Sequence, residues 1–64
     1  MSETKISKSH LLEFSNRLTD LSDAMIALGQ DLCAYGYEQG WEMVGAGGIA
    51  GQLAKKLAEE ADKP

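Results

Sequence analysis

LLEFSNRLTDLSDAMIALGQDLCAYG, residues 11–36, is the stretch that decides the fold. Within it Leu11, Phe14, Leu18, Leu21, Met25, Leu28, Leu32 and Tyr35 recur at alternating spacings of three and four. An α-helix turns once in about 3.6 residues, so this spacing lays all of them along one side, in the a and d places of successive heptads. No alternation of period two competes with it. The neighbouring e places hold Ser15, Ser22, Gly29 and Gly36, all small. Glycine inside a helix costs roughly 1 kcal/mol relative to alanine. Two in register therefore call for compensation, and the close approach of another helix supplies it. Leu12, Ile26 and Cys33, at b, widen the apolar side, while Arg17, Asp20, Asp23, Asp31 and Glu38 lie mostly away from it. A face this wide suits a bundle better than a two-stranded zipper.

Working outward, residues 1–8 are polar apart from Met1 and Ile6 and read as a flexible N-terminus. Ser7 or Ser9 is placed to cap the first helix, because a serine oxygen accepts from the free amides of the first turn. Past Tyr35 the heptad lapses at Gln39 and Glu42, and Tyr37, Trp41 and Val44 form a new stripe. The pattern is read as a first helix continuing to about Val44, with breaks at Gly36 or Gly40 as alternatives. Gly45-Ala46-Gly47-Gly48 then becomes the turn, and a second helix follows from about Ile49 to Ala61. The expected fold is all-α: one αα-hairpin domain over residues 9–62, with a long first helix and a short second one.

The same glycines fit G-x-G-x-x-A, the outline of a dinucleotide-binding loop. That loop needs a strand before it and a βαβ unit of about 30 residues or more around it. No strand pattern precedes Gly45, and the chain after it is too short for a second strand. The glycines are read as serving the fold: a turn, with Gly47, Ala50, Gly51 and Ala54 letting the second helix lie close.

Length then bears on assembly. At 1.5 Å per residue, a first helix of roughly 35 residues spans about 50 Å, and a second of roughly 14 covers about 21 Å of it. On this reading Leu11, Phe14, Leu18 and Leu21 stay bare within one chain. A homodimer forming a helical bundle is expected to cover them, with Leu11, Phe14, Leu18, Leu21, Met25 and Leu28 in the interface. The chain of 64 residues points the same way, since a domain this small is marginal alone. Cys33 is the only cysteine and His10 the only histidine, so neither an internal disulfide nor a Cys/His zinc set can supply the rest.

Six Lys/Arg against ten Asp/Glu give a net charge of −4, spread evenly over both halves. No basic stripe exists for direct nucleic-acid binding, and no apolar run is long enough to span a bilayer. No signal-peptide core is visible, and a free cysteine agrees with a reducing cytoplasm, so a cytoplasmic location is expected. Cys33 reads as a small thiol beside the seam and His10 as a surface residue; no nucleophile, base or pocket converges, so no enzyme and no cofactor is expected. The expected function is a small protein-interaction module: a homodimeric adaptor, or a regulator or inhibitor that binds a larger protein. A purely structural assembly subunit, or an acidic accessory in a basic site of a nucleic-acid-binding protein, is the alternative. Tyr37, Trp41 and Val44 are the candidate partner-binding residues. Should they prove to be core, the acidic outer face around Asp20, Asp23 and Asp31 takes their place.

Overall fold

A computed structural model describes residues 6–63. Residues 1–5 and 64 lie outside the described residues, and with them most of the stretch expected to be flexible. Two helices, α1 (Lys8–Ala34) and α2 (Gly40–Asp62), form an antiparallel hairpin with no strand among the described residues. The expected all-α hairpin is therefore the architecture.

The helix ends follow from local chemistry. Ser7 caps α1: its Oγ accepts from the His10 amide at 3.2 Å, satisfying one of the free donors of the first turn. At the other end, the Gly36 amide donates to the Cys33 carbonyl at 3.0 Å, and the Tyr37 amide donates to the Leu32 carbonyl at 2.9 Å. This pair of bonds is the Schellman closure. It requires a left-handed residue, and Gly36 supplies it at φ +90°. The amides of Gly40, Trp41 and Glu42 then donate to the carbonyls of Tyr37, Glu38 and Gln39 as α2 begins.

Three expectations are corrected here. The first helix stops at Ala34 rather than Val44, and the turn spans residues 35–39. The Gly45–Gly48 run lies inside α2 instead of forming the turn. The helices, of 27 and 23 residues, are nearly matched rather than long and short. One physical fact underlies all three. Gly36 meets no neighbour and takes the backbone shape that other residues resist, whereas Gly47 is consumed by packing.

The hairpin closes through small residues placed every seventh position on both helices. On α1 these are Ser15, Ser22 and Gly29; on α2 they are Gly40, Gly47, Ala54 and Ala61; all are buried. Opposite members meet. The Ser22 hydroxyl donates to the Gly47 carbonyl at 2.6 Å, and the Ser15 hydroxyl donates to the Ala54 carbonyl at 2.7 Å. A Cβ built on Gly29 would stand 2.5 Å from the Gly40 carbonyl oxygen and 2.7 Å from Val44 Cγ2. A Cβ built on Gly47 would stand 2.7 Å from Ile26 Cγ1 and 3.0 Å from the Ser22 carbonyl oxygen. Backbone thus touches backbone along the hairpin, and no described buried side-chain polar atom lacks a partner. The small e row of α1 is the seam with α2. Gly36, its last member, serves the turn instead.

Candidate interaction surfaces

A seam built on e leaves the a and d places to its side. On α1 the a residues flank the seam and the d residues point about 100° away from it. In an antiparallel pair the matching places of α2 fall on the same side: Met43, Ala50 and Leu57 at a, Ala46 and Leu53 at d. The geometry agrees, because Leu57 joins Phe14, Arg17, Leu18 and Leu21 around one shallow depression. The result is a face of large apolar side chains running along both helices.

The outer row of this face, at d, is the open part. Leu21 is 54% exposed, and Leu28 and Leu53 are each 50% exposed, while Leu18, Met25, Met43 and Leu57 are half-buried. Leu11 differs, at 4% exposed: the hairpin itself consumes it near its open end. Covering by α2 is not what divides these residues, since α2 runs alongside nearly all of α1. Phe14 and Leu21 are exposed because they point sideways, not because the second helix falls short. Phe14 is bracketed on its own helix: the His10 ring stacks on it at 5.9 Å between centroids, and the Arg17 guanidinium lies 5.9 Å from its ring centre. Arg17 also pairs with Glu13 at 3.6 Å, both well exposed.

Tyr37, Trp41 and Val44 do not form one stripe. Tyr37 lies in the turn and is exposed; Trp41 is 61% exposed on the first turn of α2. Trp41 follows the seam residue Gly40 directly, which turns it about 100° away from the seam and onto the side opposite Met43. Val44 instead packs at the seam against Gly29, half-buried. Tyr35, the last member of the heptad row, is exposed at the cap of α1. Asp20, Asp23 and Asp31 are exposed on the outer surface of α1.

The α2 half of the leucine face was missed by sequence reasoning. Its signal is the row Gly40, Gly47, Ala54, Ala61, which sets the register of α2. Met43, Ala50 and Leu57 then sit in the same places as Leu11, Leu18, Met25 and Leu32 on α1.

Cys33 is a half-buried free thiol on the side away from the leucine face, and His10 is exposed at the far end of α1. Among the described residues no three of His, Cys, Asp and Glu come together as a metal set, and no helix is long and apolar enough to cross a membrane. No family model matches the chain, and neither does any curated protein or solved structure.

Proposed function

We propose that this chain is a non-enzymatic protein-interaction module: a hairpin that dimerises into a helical bundle through its leucine face and presents its turn end to a larger protein as an adaptor or regulator. The observation that carries the reading is the inverted distribution of side chains. Small residues fill the inside of the hairpin, and Phe14, Leu21, Leu28 and Leu53 stand outside it. A folded domain ordinarily stacks two layers around one core, and a lone hairpin is a single layer whose large residues have no second layer to meet. A contiguous apolar face of this kind marks a protein contact.

Trp41 and Tyr37 supply the second surface. They lie off the leucine face, so dimerisation leaves them accessible. Glu38 beside them gives a charged neighbour, and tryptophan and tyrosine are enriched among residues whose truncation weakens complexes by about 2 kcal/mol or more. The test is a pull-down from the native host with wild type and Trp41→Ala, beside circular dichroism and sedimentation of both. One stoichiometric partner, lost in Trp41→Ala while helicity and dimer persist, is the expected outcome. Recovery of the chain alone in both cases would establish the assembly-subunit alternative instead.

A further inference from the structure

The geometry points to the occupant of the leucine face and its orientation: a second copy of this chain, docked turn over open end. The two-fold axis crosses the hairpin at the level of Leu21 on α1 and Ile49 on α2. This proposal rests on the leucine face being the dimer contact.

Area argues for a partner of this size. The chain exposes 5007 Å², against about 4,000 Å² for a folded monomer of its mass. The excess is close to the ~800 Å² that a standard interface removes from each partner. The radius of gyration is 14.4 Å, above the roughly 11 Å of a globular chain this long and near the ~14 Å of one twice its length.

Two face-to-face arrangements are symmetric, and charge separates them. The g places rim the leucine face. Toward the open end they hold His10 and Arg17 on α1 and Lys56 and Lys63 on α2; toward the turn they hold Asp31 and Glu42. Docking turn over turn lays α1 on α2 of the other copy, and brings Arg17 near Lys56 and Asp31 near Glu42. Like charges then meet at both ends. Docking turn over open end lays α1 on α1 and α2 on α2, each antiparallel. Lys56 then meets Glu42 of the second copy, and Asp31 meets its His10 rather than a carboxylate. Each such rim pair contributes under about 1 kcal/mol, so the charges choose the orientation while apolar burial supplies the affinity.

The side chains agree with that choice. About an axis at Leu21, Phe14 faces Leu28 of the second copy and Leu18 faces its Met25, which places Met25 and Leu28 over the depression beside Phe14. On α2 the same axis sets Met43 against Leu57, and Ala46 against Leu53, the latter small beside large. Ile49, 69% exposed within one chain, falls on its own symmetry mate.

Cross-linking tests the orientation, and sedimentation tests the reading beneath it. In a Cys33→Ser background, Leu21→Cys should oxidise to a disulfide-linked dimer as the main species, because only turn-over-open-end docking puts this residue within bonding reach of itself. Ile49→Cys, at a site already exposed, should link to itself through a short bismaleimide, and it keeps the test informative if Leu21→Cys folds poorly. Turn-over-turn docking instead links a mixture of Leu21→Cys and Ala50→Cys chains. A dimer that links only in that mixture, or at neither axis position, overturns the orientation but not the leucine-face contact. A wild type that sediments as a folded monomer at tens of micromolar overturns both.

Discussion

The seam and the leucine face run side by side along the same helices, one heptad place apart, and they solve opposite problems. At the seam Gly29, Gly40 and Gly47 bring backbones so near that a single added carbon has no room. On the leucine face the side chains are large, and Leu21, Leu28 and Leu53 in its outer row stand half or more in water. The seam therefore draws its stability from close backbone contact and two serine hydrogen bonds, with little apolar volume. The face carries the apolar volume that the fold has not yet used. On the proposed function, shape is fixed at one surface and burial is completed at the other.

The largest effects should come from filling the seam. Gly29→Val and Gly40→Val each drive a side chain into facing backbone, which cannot give way as a flexible side chain can. Overpacking costs about 1–3 kcal/mol where neighbours relax and more where they do not. For a hairpin this small, loss of the folded state in a thermal melt is the expected outcome. Leu21→Asp tests the other surface. Leucine burial contributes about 1.5–3 kcal/mol, and the axis counts it twice, so association should weaken at least about 100-fold. Sedimentation should show monomer at concentrations where wild type is dimer. If Leu21→Asp leaves the dimer intact while Gly29→Val still unfolds the chain, the division of labour between the two surfaces is wrong.

Smaller effects sharpen the comparison. Ser22→Ala removes the donor to Gly47 O but leaves that carbonyl inside a helix, so the loss should be about 0.5–1.5 kcal/mol by denaturant unfolding. Gly45→Ala and Gly48→Ala should go the other way. Both glycines are helical, and an added carbon meets nothing within 4 Å. Each substitution should therefore stabilise by up to about 1 kcal/mol, through helix propensity alone. Destabilisation at either position would show that this side of α2 is also in close contact with something.

The heptad of α1 and the small row beside it were legible in the sequence because both are periodic and the helix imposes the period. The turn was misplaced for an energetic reason. Three glycines within Gly45–Gly48 look more costly in a helix than Gly36 alone. That ranking counts only the local backbone cost. Gly47 recovers it through close packing against Ser22 and Ile26, a contact distant in sequence. The locating signal is the seven-residue row Gly40, Gly47, Ala54, Ala61, which mirrors Ser15, Ser22, Gly29 and leaves the turn between Gly29 and Gly40. Trp41 and Tyr37 were recognisable by type, but which side of the hairpin Trp41 occupies depends on that register. The ion pairs that spacing favours, Lys55–Glu59 and Lys56–Glu60, do not form. Lys63 pairs with Glu60 at 3.2 Å instead, since exposed side chains at the end of a helix have little to hold them in one geometry.

The Schellman closure at Gly36 also has a kinetic meaning. The seam pairs step outward from that turn together, with Gly29–Gly40 nearest, Ser22–Gly47 separated by 25 residues and Ser15–Ala54 by 39. Closing a chain loop costs entropy that grows with its length, so the innermost rung should form first and shorten the search for the next. The hairpin is then a zipper with one starting point, and its mostly local contacts favour fast folding. A side chain at Gly36 must be forced into the left-handed region, which raises the barrier to starting rather than loosening any rung. Gly36→Val should therefore slow refolding in stopped-flow while the unfolding rate stays nearly unchanged, the pattern of a site already ordered in the transition state.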